Sequence, residues 1–144
     1  MTVQEILLPL FVEVILTFVL LIWMAALRGS DFKSGIVRRE NVALREPNWS
    51  RRTLQVSYSY ANQFELPILF YVLTILAYVT HLAGIVFVVL AWIFVIFRLL
   101  QAYIHVTSNN VNLRGPFFGV AALALAVNWL IYIVEVLTMP RPLP

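Results

Sequence analysis

Seven side chains have types and spacings that could support chemistry. Tyr58, Asn62 and Glu65 recur at intervals of four and three, so a helix sets them on one face. Arg98, Gln101 and His105 recur at intervals of three and four and form a second such face, and Arg114 follows beyond a polar stretch. Together they offer two fixed positive charges, one carboxylate, an imidazole and two carboxamides. That set suits an anionic ligand that also carries a positive group. Other chemistries are closed. With no cysteine the chain has no thiolate nucleophile, thiolate metal site or disulfide. Two histidines, His81 and His105, are too few for a zinc site without carboxylate help.

The elements that must position these groups are apolar. The 144 residues are 62% hydrophobic, more than a soluble domain of this size can bury, which makes the bilayer the solvent. The expected fold is an all-α integral membrane four-helix bundle. It forms a single domain over 1–144, with spans at about 6–27, 53–80, 85–106 and 117–137. The first span lacks a basic leader and an Ala-x-Ala site, so it reads as retained rather than cleaved. Residues 28–52 hold seven basic side chains against three acidic ones, which places this loop in the cytoplasm and both termini outside. The basic residues therefore serve topology and contact with lipid headgroups first, the alternative being that a minority of them line the entrance to a site for an anionic ligand, and nucleic acid is not an expected partner. Ser50 or Asn48 is a candidate N-cap for the second span. Pro67 is expected to kink that span and to free the carbonyl of Gln63. Pro116 suits the first turn of the fourth span, and the proline-rich tail 139–144 is expected to be external.

Glu65 inside a span is costly unless it is partnered. At about 1.5 Å per residue it lies roughly 18 Å along its helix, and Arg98 roughly 13 Å from the cytoplasmic end of the next. The two are therefore expected to pair. A buried pair could simply lock the bundle, but such pairs are often no better for stability than apolar packing. Five polar side chains on two facing stripes, open toward a basic loop, point instead to a ligand site in the cytoplasmic half of the membrane. Glu13, alone in the first span, reads either as a carboxylate bonded to a neighbour or as a proton or cation site. Asn128 and Glu135 share a face of the fourth span.

At these residues the chain resembles the MAPEG family, membrane-associated proteins in eicosanoid and glutathione metabolism, and in particular bacterial-type members similar to microsomal glutathione transferases. The resemblance covers nearly the whole chain. It is most specific in Asn62-Gln-Phe-Glu65-Leu-Pro-Ile-Leu-Phe-Tyr71 and in Arg98-Leu-Leu-Gln-Ala-Tyr-Ile-His105 followed by Arg114. It implies a homotrimer with sites between subunits, and glutathione as cosubstrate for transferase or peroxidase chemistry on lipophilic small molecules. By position, Asn62 and Glu65 match the family's Arg-x-x-x-Asn-x-x-Glu/Asp motif. Glu65 would hold the amine of glutathione, and Arg98 and Arg114 would act on its carboxylates or thiolate. Tyr58, Gln101 and His105 would complete the site. The chain departs from the pattern at Tyr58, which stands in place of the leading arginine. It also has Gly115 and Phe118 where one branch of the family has hydroxyl side chains.

Two rival readings differ in class. One is a non-catalytic lipid-binding or scaffold protein on the same fold. The other is a small proton-coupled multidrug transporter, which Glu13 invites and which would need neither the polar stripes nor the basic loop. The expected location is a bacterial inner membrane.

Overall fold

The computed structural model describes residues 1–139, so residues 140–144 of the proline-rich tail lie outside the described residues. Helix α1 (Val3–Lys33) begins at a capping box, in which Glu5 N–H donates to Thr2 Oγ1 at 3.3 Å and Thr2 N–H to Glu5 Oε2 at 2.7 Å. At about 1.5 Å per residue this helix is longer than a hydrocarbon core of about 30 Å.

Next comes the basic loop. Ser50 ends it as the N-cap of α2 (Arg51–Ala61), accepting from Thr53 N–H at 3.4 Å, while its own N–H donates to Asp31 Oδ2 at 3.0 Å. The end of α1 is thereby tied to the start of α2.

The second span is two helices. After Ala61 the chain tightens into a single 3₁₀ turn (Asn62–Phe64), bends at Glu65, and resumes as α3 (Leu66–Val79). A short connection with His81 in the left-handed region, at φ 58°, turns the chain into α4 (Ile85–Val106). Helix α5 (Val111–Thr138) starts six residues earlier than the sequence suggests. Asn110 provides the reason: its Oδ1 accepts from Asn112 N–H at 3.0 Å and caps the helix upstream of the proline. Pro116 therefore sits inside α5 rather than in its first turn.

Among the described residues there are four helical spans long and apolar enough to cross a membrane, counting α2 and α3 as one. Packing is centred on α4. Its inward face presents Phe87, Ala91, Phe94, Val95, Arg98, Gln101 and His105, so apolar contact near one end gives way to polar contact near the other. Phe94 stacks on Phe70 of α3 with ring centroids 4.7 Å apart, and Ala91, Ala121 and Ala124 keep α4 and α5 close. A second apolar cluster of Leu20, Met24, Val56 and Val106 joins α1 and α2 to the end of α4. Ile15, Phe18 and Ile22 of α1, with Leu123 and Leu130 of α5, point outward and are exposed, as lipid-facing residues are. The molecule is an all-α, multi-pass membrane bundle.

Candidate functional site

The site begins with a proline. Pro67 has no N–H to give the carbonyl of Gln63, so the regular ladder cannot cross this point. The 3₁₀ turn and the bend at Glu65 (φ −99°, ψ −108°) absorb the interruption. The carbonyl that gains a new partner is that of Asn62, one residue before the one expected: it accepts from Arg98 Nη2 at 2.9 Å. The break thus presents Asn62 and Glu65 at the end of a helix while a buried cation holds the backbone behind them.

The end of α4 supplies the facing wall. Its last carbonyls lack intrahelical donors, and α2 provides them. Gln55 Nε2 donates to the His105 carbonyl at 2.7 Å and to the Thr107 carbonyl at 2.9 Å, and the Arg52 guanidinium donates to the Val106 carbonyl. Arg52 also lies over the Trp23 ring at 4.8 Å. His105 Nδ1 lies 3.3 Å from Asn62 Nδ2. Arg114, on the first turn of α5, donates from Nη1 to Asn109 Oδ1 at 2.7 Å.

These elements enclose a cleft of about 510 Å³, lined by Arg51, Gln55, Tyr58, Asn62, Glu65, His105, Asn109 and Arg114, with Leu54 and Ala61. Two guanidinium groups and one carboxylate line it. Tyr58 and Glu65 are both exposed. A family model described as MAPEG family matches residues 6–134 of this chain. The chain belongs to the MAPEG family. Comparison with curated proteins and with solved structures gives no match.

Of the seven site residues read from the sequence, the fold of this MAPEG chain gathers Tyr58, Asn62, Glu65, His105 and Arg114 in the cleft. It places Arg98 and Gln101 behind the wall. Arg98 is 1% exposed; its Nη1 donates to Gln101 Oε1 and its Nη2 to the Asn62 carbonyl and Gln63 Oε1. Its charge partner is Glu13 of α1, with Oε1 3.9 Å from Arg98 Nε and the carboxylate fully buried. The expected pairing of Arg98 with Glu65 is therefore corrected. Depth along two helices had matched them. The bend at Glu65 turns that carboxylate outward, and α1 brings a nearer one.

The MAPEG cleft also contains Arg51, Gln55 and Asn109, which lie outside the two stripes of site residues. Arg51 and Gln55 extend the stripe of Tyr58, Asn62 and Glu65 backward at intervals of four and three, so the same periodicity contained them. Asn109 carried no such signal, because it sits in the turn between α4 and α5.

Proposed function

We propose that this MAPEG chain is a membrane-embedded, glutathione-dependent transferase or peroxidase-like protein that acts on lipophilic electrophiles. The observation that carries the reading is the convergence of Arg51, Arg114 and Glu65 on one cleft. Two cations and one anion complement a tripeptide with two carboxylates and an amine. Glu65 receives the amine, Arg51 takes a carboxylate, and Asn62, Tyr58 and His105 offer hydrogen bonds along the peptide. Arg51 supplies from two turns upstream the cationic anchor that Tyr58 lacks. Arg98 and Gln101 act through the backbone, holding the broken helix so that Asn62 and Glu65 face the ligand.

Arg114 addresses the sulfur. A free thiol has a pKa of about 8.5, and an adjacent guanidinium lowers it by stabilising the thiolate. In transfer, the thiolate forms a bond to an electrophilic carbon whose leaving group departs with its electron pair. The thiol proton is released to water in the cleft. With an organic hydroperoxide, the sulfur takes the terminal oxygen and the alcohol departs. A second glutathione then displaces water from the oxidised sulfur and leaves the disulfide.

The open side of the cleft suits closure by another copy in a homotrimer, with the lipophilic substrate arriving from the bilayer. The long basic loop marks the cytoplasmic side, in keeping with a bacterial inner membrane. A non-catalytic, lipid-binding scaffold is the second reading, and tyrosine at position 58 is what favours it.

Titration of the purified protein with glutathione decides between them, with binding followed by calorimetry and thiolate by ultraviolet absorbance. Wild-type protein is expected to bind and to generate thiolate. Glu65→Gln should weaken binding by about ten- to a hundredfold, the worth of a charged hydrogen bond, and Arg114→Ala should remove most of the thiolate signal. Neither binding nor thiolate at millimolar glutathione would end the enzyme reading in favour of the scaffold.

A further inference from the structure

The turn between α4 and α5 contains an arrangement that the stripes on the helices do not explain. Asn109 stands in the left-handed region at φ 52°, and its N–H donates to the Ile104 carbonyl at 2.7 Å, closing the end of α4. Asparagine tolerates this conformation better than most residues with a Cβ. That backbone role would be served equally well by glycine. The side chain does something else. Its Oδ1 accepts from Arg114 Nη1 at 2.7 Å, and both residues line the cleft.

We infer that Asn109 is a positioning residue, whose amide oxygen fixes the Arg114 guanidinium toward the cleft and leaves its charge uncompensated. A carboxylate at this position would orient the guanidinium as well, but it would also neutralise the charge that an anionic ligand must meet. An amide oxygen supplies direction without charge. Arg114 has five N–H donors in a planar fork. Fixing one Nη edge against the turn aims the rest of the fork away from it. Among the described residues the remaining guanidinium donors of Arg114 have no partner. The other charged or titratable groups on the cleft are Arg51, Tyr58 and Glu65 from the second span and His105 from α4. Glu65, the one carboxylate among them, is not bonded to Arg114. The inference draws on the glutathione reading for the thiol that Arg114 serves, whereas the contact between Asn109 and Arg114 stands apart from it.

The test uses the full-length protein in detergent and two variants, Asn109→Gly and Asn109→Asp. Both replacements accept the left-handed turn, so a purely structural role predicts that both behave as wild type. The first readout is independent of glutathione: the rate at which phenylglyoxal modifies Arg114, followed by peptide mass spectrometry. Loss of the acceptor should raise that rate roughly tenfold in Asn109→Gly, as expected for a charge-assisted hydrogen bond. Asn109→Asp should slow it. Arg98 should stay unreactive in each variant, which checks that the bundle is intact. The second readout is the pH midpoint of bound glutathione thiolate. It should rise by about one unit in Asn109→Asp, where the new charge pairs with Arg114, and by less in Asn109→Gly. An unchanged Arg114 rate in Asn109→Gly overturns the inference, and so do equal thiolate midpoints in wild type and Asn109→Asp. If wild-type protein forms no thiolate while the Arg114 rates shift as described, the glutathione reading fails and the orienting contact stands.

Discussion

Two of the carboxylates within the spans, Glu13 and Glu65, have opposite environments, and that contrast assigns their roles. Glu13 is fully buried on α1 against Arg98, and neither of its oxygens accepts a hydrogen bond among the described residues. Glu65 is exposed on the cleft. A buried pair with a 3.9 Å separation and no hydrogen bond to the carboxylate contributes little net stability, yet removing one partner strands the other charge. Glu13→Ala or Arg98→Ala should therefore each cost about 3–5 kcal/mol. The double change Glu13→Leu with Arg98→Met should recover most of that loss, as measured by thermal unfolding in detergent. Losses that simply add would show that the residues are not coupled. The sequence made both acids visible as residues that need a partner. It could not assign the partners, because helix depth along one chain says nothing about which neighbour lies closest. A transporter reading puts its proton on Glu13, and the buried contact with Arg98 leaves that carboxylate engaged in the core.

At the scale of elements, the second span shows both how far periodicity reads and where it stops. The stripe from Tyr58 to Glu65 was legible because its residues line one cleft across the end of α2 and the turn that follows, and the position of α4 was legible at both ends, Ile85 and Val106. Pro67 announced an interruption but not its form, since the lost hydrogen bond can be absorbed by a kink or by a change of helix type. Here a 3₁₀ turn and a bend at Glu65 absorb it, and Arg98 takes the Asn62 carbonyl. The upstream start of α5 was hidden for a similar reason, because the polar residues before Pro116 read as a turn until Asn110 is seen capping them. The proline makes the break testable. Pro67→Ala restores an N–H for the Gln63 carbonyl and removes the steric bar to a continuous helix. The variant should then protect the amides of residues 62–66 from hydrogen exchange more strongly than wild type. Glutathione affinity should fall about tenfold, as Arg98 loses a hydrogen-bond acceptor. Unaltered exchange and affinity would mean that the break owes nothing to the proline and does not set the cleft.

For the whole molecule, the question is what covers the open side of the cleft. Helix α3 has 14 residues and rises about 21 Å at about 1.5 Å per residue, so in a hydrocarbon core of about 30 Å Glu65 sits roughly 9 Å inside the boundary nearest the basic loop. A carboxylate facing lipid at that depth costs several kcal/mol. The face that carries Tyr58 and Glu65 must therefore meet protein or a water-filled cavity, and in a single chain both residues remain exposed on the cleft. A second copy seated there would supply the missing wall, and a closed ring of three would complete every cleft alike. That assembly was read from the family resemblance, and the exposed carboxylate gives it a physical motive. The orientation test comes first: a reporter after Lys33 should be cytoplasmic and one at the C-terminus external, and the reverse result would turn the site to the other face. The assembly test uses the absence of cysteine, which makes single-cysteine variants clean. Native mass spectrometry of the purified protein should give three times the 16.5 kDa chain mass. Tyr58→Cys should crosslink to a partner cysteine introduced in turn along the lipid-facing residues of α1 and α5, with one helix favoured. Glu65→Leu should leave a monomer tolerable in lipid and loosen the trimer. A wild-type protein that runs as a monomer, with Tyr58→Cys freely labelled by a membrane-soluble maleimide, would place that face in the bilayer and remove the subunit boundary from the site.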